Sequence, residues 1–340
     1  MLLIKKKINK IEFHQKQISI DINELNKKLK LQQANSLEER EIIKSFIKGI
    51  IRYSKPCKKI LQILIKQKIF NKFLNNNINY ISIPYPMIHL KKDFLEAGGF
   101  HNDQIGSSQM YTCWIPITKY KYPALSRSII IRKNLNFLNI ILKKLNLLKI
   151  FKINIFVKFG EAYLWDAKIF HRGNLNVSNK ISSAFQFKIT QSPFFLEKSF
   201  KIGSKFDYKS INKKKIIVYF RIYLKFIKLL KKNKINNVED LENFILLNKL
   251  KKNQSISFAL SVLSQRLIFA KSKKLNLGLD NEKIFLIDYM SLLLGADNLI
   301  SVKRLIFYFK KRNDNSSLKK LKKYLNKIKL SKNKIEFLMN

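Results

Sequence analysis

The sequence predicts an α+β protein. A core of short antiparallel strands, of barrel or jelly-roll type, lies between N-terminal helices and a C-terminal all-helical region. Three observations carry that expectation. Apolar residues recur at helical spacing before about residue 78 and again after about residue 204. Between them Pro84, Pro86, Pro116, Pro123 and Pro193 punctuate short β-rich runs. Only one stretch of that middle region, 135–151, has a helical pattern. Many short strands with turn signals and few helices mark a barrel or sandwich. The expected division is 1–78 for N-terminal helices packing on the core, 79–203 for the strand core and 204–340 for a helical accessory domain.

The elements follow in order. Ser36-Leu-Glu-Glu39 is a capping box, its hydroxyl and carboxylate positioned to satisfy free amides at a helix start. Ile42, Ile43, Phe46, Ile47, Ile50 and Ile51 then recur at helical spacing, and Pro56 ends or kinks that helix. Strand-like runs fall at 81–83, 111–117, 128–131, 153–159, 162–165 and 182–190. In the last, Ala184, Gln186 and Lys188 share one face and Phe185 and Phe187 the other. Helical patterns return after Ser204. Asn236 and Asn237 precede acids at a helix start, and further patterns lie near 254–274, 281–294, 299–312 and 316–330 without a fixed period. The Lys-rich amphipathic stretch 318–334 reads as a solvated face, and the C-terminal helices as a surface for a protein partner.

Composition narrows the function classes. The 340 residues hold 68 Lys plus Arg against 22 Asp plus Glu, a formal charge of +46. The excess is divided equally between residues 1–200 and 201–340, whereas a nucleic-acid module concentrates it in a patch or arm. Only nine of the cations are Arg, the residue that forks onto phosphate and guanine edges. Nucleic acid is therefore not the expected main partner. A basic nucleic-acid binder is carried as an alternative, because the acids are scarce. Cys57 and Cys113 are too few for a disulfide framework or a Cys-rich zinc site. Met1-Leu-Leu-Ile-Lys-Lys-Lys does not read as a signal peptide, and the longest apolar run, 285–296, is short and interrupted by Asp288. The expectation is a cytoplasmic protein without a transmembrane segment.

The chemistry sits in two segments, Gly98-Gly-Phe-His101-Asn-Asp103 and Trp165-Asp-Ala-Lys-Ile-Phe-His171-Arg-Gly-Asn174. A His and an Asp two apart on a strand project to the same side, and a second His from a distant strand completes a face of three ligands. Two neutral imidazoles and one carboxylate on an octahedral metal leave three adjacent positions open, the arrangement of non-haem Fe(II) oxygenases. Zinc favours a more closed tetrahedral shell, so the set favours iron without excluding zinc. His89 and His14 have no spacing that recommends them as ligands; Asp166 and Glu161 read first as surface positions, with orienting a ligand imidazole as the alternative.

Four segments carry a resemblance. Pro84-Tyr-Pro-Met-Ile-His-Leu90, Glu96-Ala-Gly-Gly-Phe-His-Asn-Asp-Gln-Ile105, Tyr111-Thr-Cys-Trp-Ile-Pro-Ile-Thr118 and Phe170-His-Arg-Gly-Asn-Leu-Asn-Val-Ser178 resemble the phytanoyl-CoA dioxygenase-like family over about residues 80–195. The resemblance implies a double-stranded β-helix core and Fe(II)/2-oxoglutarate chemistry on a small-molecule substrate. It implies that His101, Asp103 and His171 hold the iron, and that the Trp114 strand, with Tyr111 and Gln186, walls the substrate pocket. Retention of Asp103 favours hydroxylation over halogenation. One feature departs: the family places an Arg about ten residues after the second His for the distal carboxylate of 2-oxoglutarate, and 180–188 contains none. Lys188 is the first substitute, with Lys180 and Ser182 as further candidates for the co-substrate site. The basic surface suits an anionic substrate. A metal- or sugar-binding β-helix domain without turnover is the alternative.

Overall fold

The computed structural model describes residues 4–8, 10–66, 79–97, 99–103, 109–128, 136–193, 198–204, 210–275, 278–295 and 300–327. Gly98, Gln104 and Ile105, most of the expected strand 128–131 and the ends of the helical stretches beyond 66 and 327 lie outside the described residues.

The first elements in chain order are β1 (Ile4–Lys7), α1 (Ile11–Lys28), α2 (Leu37–Arg52), α3 (Lys55–Lys66), β2 (Tyr80–Ser82), β3 (Tyr85–His89) and α4 (Phe94–Ala97). There follow β4 (Met110–Pro116), β5 (Leu125–Ser128), α5 (Asn136–Lys144), β6 (Lys152–Ile155), β7 (Glu161–Asp166), β8 (His171–Gly173), β9 (Ser182–Thr190) and β10 (Ser199–Lys201). The rest is helical: α6 (Ile216–Lys231), α7 (Val238–Leu247), α8 (Gln254–Ser272), α9 (Asn281–Leu293), α10 (Ile300–Lys311) and α11 (Asn315–Lys327). Helices and antiparallel sheets are both present, an α+β composition.

The chain divides into two compact units. One comprises Met1–Leu29, Ser54–Phe194 and Ser199–Ser210, and the other Lys30–Tyr53, Phe195–Lys198 and Ile211–Asn340. In this division α2 falls in the second unit. Its capping box forms: Ser36 Oγ accepts from the Glu39 amide at 3.1 Å, and Glu39 accepts from the Asn35 amide. Pro56 lies in the first turn of α3, where its missing N–H costs nothing.

The first unit holds every strand among the described residues. One sheet runs in the order β1-β7-β4-β9-β2-β10, with β3 also on β9, and a second runs β6-β5-β8. Sequence reasoning missed β1, β3, β8 and β10. β1 is an edge strand whose lysines hide its pattern, a charge loading that discourages further pairing. β2 and β3 share one edge of β9, interrupted at Pro84, which has no N–H to give. In that gap the Ser82 hydroxyl accepts from the Lys188 amide at 2.9 Å.

β4 is buried along its whole length because β7 and β9 flank it. Its registers place Thr112 and Trp114 beside Trp165, Tyr163, Lys188 and Gln186 on one face, and Tyr111, Cys113 and Ile115 on the other. On the first face Trp114, Tyr163, Trp165 and Ala184 pack with Leu125 of the second sheet and with Ile169. The inner faces of the two sheets meet there. Gln15 ties α1 to the same scaffold, donating to the Pro116 carbonyl.

In the second unit α2 crosses α8 at Gly49, where a Cβ would lie 2.3 Å from the Ser255 carbonyl oxygen. Phe46 of α2 packs against Phe220 and Tyr223 of α6. Asp288 of α9 pairs with Arg304 of α10 and accepts from Ser264 of α8. Among the described residues no helix is long and apolar enough to cross a membrane.

Because the neighbour at Gly49 is backbone and cannot rotate away, Gly49→Ala must push the helices apart. Overpacking of this kind costs about 1–3 kcal/mol, and urea denaturation should show the loss without a change in the first unit's near-ultraviolet signal.

Candidate metal centre

His101 follows α4 and Phe100, and His171 opens β8. The two backbones form an isolated antiparallel bridge: the His101 amide donates to the His171 carbonyl at 3.0 Å, and the His171 amide returns a bond at 2.8 Å. The pairing puts the imidazoles side by side, their centroids 4.6 Å apart. Asp103 follows two residues on, its amide donating to the Ala167 carbonyl at 2.7 Å. His101, Asp103 and His171 each offer one ligand atom, and these atoms all lie within 4.8 Å of one another. Asp103 Oδ1 is 3.7 Å from His101 Nε2, and Oδ2 is 3.4 Å from His171 Nε2.

The tautomers follow from the backbone. His101 Nδ1 is 2.8 Å from the Gly99 carbonyl, and His171 Nδ1 is 3.0 Å from that of Ile169. A carbonyl only accepts, so each Nδ1 carries the proton and each Nε2 keeps its lone pair for an electrophile. Carbonyls thus orient both rings. Asp166 and Glu161 do other work: Asp166 accepts from the Lys168 amide, and Glu161 accepts from the Tyr163 hydroxyl. Trp165 meets the His171 ring edge-on at 5.0 Å.

Asp103 is held by three donors converging on Oδ2: Thr112 Oγ1 at 2.7 Å, Gln186 Nε2 at 2.9 Å and Lys188 Nζ at 2.7 Å. Burial alone would raise its carboxyl, but the Lys188 ammonium, with His171 and His101, outweighs burial and holds it well below the usual range. Burial pushes the His171 imidazole down to about 4 against the opposing pull of Asp103, so the ring is neutral at pH 7. The donor set suits a divalent metal: two neutral nitrogens and one ionised carboxylate on one side, with His101 half exposed on the other.

The other expected site residues scatter. Gln186 and Lys188 join the cluster, at the carboxylate ligand. Lys180 is an exposed turn residue whose carbonyl accepts from Asn176 and Ser178. Ser182 is buried opposite His89 at the start of β9, six residues from Lys188 and so about 20 Å away along the strand. Lys180 and Ser182 therefore stand apart from the triad. Tyr111 is on the opposite face of β4, bonded to Gln109. Trp114 is fully buried, its indole N–H directed at Met87 Sδ and its ring packed on Tyr120 and Tyr163. The recess beside the triad is lined instead by Leu125, Arg127, Ile155, Trp165, Ile169 and His171. Sequence reasoning missed Thr112. The alternation that put Trp114 inward was a signal for Thr112.

No protein-family model and no curated protein matches the chain. Solved structures similar to it include the non-heme alpha-ketoglutarate dependent carbocyclase SnoK from nogalamycin biosynthesis, at 13% identity and a TM-score of 0.26, covering 33% of this chain and 50% of that one. The non-heme monooxygenase ThoJ in its nickel complex matches at 7% and 0.38, covering 66% and 92%. AviO1 from Streptomyces viridochromogenes Tue57 matches at 10% and 0.27, covering 47% and 64%. The chain thus spans half the length of the carbocyclase. At TM-scores this low the likeness carries no argument about ligand or activity.

Two outcomes are expected. An unfolded chain takes up the His171 proton at about pH 6.5, and the folded chain only at about 4. Stability contributed by the neutral ring is therefore complete above pH 6.5 and is lost as acid approaches pH 4. Denaturant midpoints across that window should fall in the metal-free wild type and fall less in His171→Gln. Lys188→Met removes a cation that competes for Asp103, so Co(II) affinity, read from d–d absorption, should rise about tenfold.

Proposed function

We propose that the chain is a mononuclear Fe(II)/2-oxoglutarate-dependent oxygenase, built on a double-stranded β-helix core and acting on a small molecule. The observation that carries the reading is the convergence of two Nε2 lone pairs, each fixed by a proton bonded to a carbonyl, on the ionised Asp103 carboxylate. That is a three-ligand face with open positions opposite. Two antiparallel sheets with a shared apolar interior are what a jelly-roll core requires. The motifs of residues 80–195 supply the family resemblance.

His101, Asp103 and His171 would hold the iron. When bound, iron and the 2-oxo acid would supply the oxidation of a substrate C–H bond. The chain's own part is positional. Thr112, Gln186 and Lys188 keep Asp103 ionised and oriented, the Gly99 and Ile169 carbonyls set the imidazole tautomers, and Trp165 and Ile169 exclude water beside His171. Solvent reaches the cluster on the His101 side, which fits entry of a small molecule from that direction.

One observation favours a second reading, a metal site without turnover: Lys188 is spent on Asp103, leaving it no free charge for a co-substrate. Anaerobic titration with Fe(II) and then 2-oxoglutarate separates the two. The oxygenase predicts a visible charge-transfer band that requires both components and vanishes in His171→Ala and Asp103→Ala. Folded, metal-loaded protein without the band would refute the 2-oxoglutarate assignment.

A further inference from the structure

We infer that α5 and β6 form a docking face for the surface of an anionic lipid bilayer, a contact independent of the reaction assigned to the metal centre. Among the described residues, eight of the eighteen exposed large hydrophobics fall within 137–156, a concentration that singly scattered surface side chains do not produce. α5 and the turn that closes it contribute Phe137, Ile140, Ile141 and Leu145. The stretch through β6 contributes Ile150, Phe151, Ile153 and Phe156. The helix is apolar on two sides. On its packed side Leu142 meets Phe100, Leu148 and Phe170, and Asn139 accepts from the Ser128 hydroxyl. At about 100° per residue, Phe137 and Ile141 lie opposite Asn139 with Ile140 beside them, and Phe137 is 61% exposed. Ser128 also pairs with Lys152 of β6, so the Asn139 bond holds helix and strand side by side.

Charge names the occupant. Lys143, Lys144, Lys149, Lys152 and Lys158 are interleaved with these hydrophobics, and no Asp or Glu occurs between Asp103 and Glu161. A second copy of the chain meeting this face across a two-fold axis would set lysines against lysines. A bilayer that contains anionic lipid satisfies both components at once. The apolar side chains enter the boundary between headgroups and acyl chains, while the lysine stems lie along it and their ammonium groups stay with the phosphates. The face also adjoins the metal centre. Phe100 and Phe170, on which α5 rests, directly precede His101 and His171, and Ile155 of β6 lines the recess beside His171.

The test is co-sedimentation of the full-length chain with vesicles of phosphatidylcholine, alone or mixed with phosphatidylserine, at low and high salt. The net charge alone attracts the chain to any anionic surface, so the deciding variant alters no charge. Phe137→Gln/Ile141→Gln should weaken binding to the mixed vesicles about 10- to 100-fold and leave them at a salt concentration that wild type withstands. Leu246→Gln/Leu247→Gln, which removes two exposed hydrophobics from α7, should bind like wild type. Phosphatidylcholine alone should hold wild type about tenfold more weakly or less. Phe137→Trp keeps the face apolar and decides the matter if the double variant misfolds: its emission should shift to the blue on mixed vesicles and be quenched by brominated acyl chains, and that of Leu247→Trp should do neither. Equal binding by wild type and Phe137→Gln/Ile141→Gln, or an unquenched Phe137→Trp, overturns the proposal. So does a wild-type dimer in solution that the same double variant dissociates, which would give the face to a second copy.

Discussion

An ionised carboxylate removed from water must be given its hydrogen bonds back, and Asp103 sets that condition for the whole strand core. Its Oδ2 needs donors from two strands at once, Thr112 from β4 and Gln186 and Lys188 from β9. Only one register satisfies it. Thr112 lies opposite Lys188 and Trp114 opposite Gln186, so all three donors share a face. A slip of one residue would turn Phe185 and Phe187 toward the carboxylate and the donors away from it. Those phenylalanines resist the slip, since their own face is apolar and buried. Packing on one side of the sheet thus fixes the polar network on the other. The interruption at Pro84 contributes too, because Ser82 there takes the Lys188 amide and steadies the residue that charges the network.

The parts of this arrangement that were legible in the sequence share one cause: they depend on local period. Alternation in 182–190 placed Gln186 and Lys188 on one face of β9, and the structure has them there. The two-residue offset of His101 and Asp103 is a statement about neighbouring residues, as are the Ser36 cap and the Asn237 cap, whose side chain accepts from the Asp240 amide. The helical C-terminal stretches were legible for the same reason.

What the sequence hid depends on lateral neighbours. Arg127 is 44 positions before His171 and reaches it only through the β5–β8 ladder, which no spacing announces. Lys188 lies on the expected face, but facing inward does not say which inward group a charge meets, and here it meets Asp103. Chain order does not say which unit α2 joins, although its amphipathic pattern is local and legible. Its Gly49 could have hinted at the close approach to α8, but one glycine in a helix has many explanations.

The chain-wide excess of lysine says little about the site, whereas the local charge balance says more. Asp103 and Lys188 cancel. On the proposed reading a divalent ion would then leave two positive charges beside a recess with apolar walls. Uncompensated charge in such surroundings is expensive, and a neutral ligand could not relieve it. An anion that chelates the metal would neutralise most of it. On the same reading a lysine at Asp103 is compatible with metal binding: it would raise the cost of the bare metal complex and thereby favour an anion that completes it. On that reading a preference for an anion is a property of the net charge of three groups, the metal, Asp103 and Lys188, rather than of any single contact.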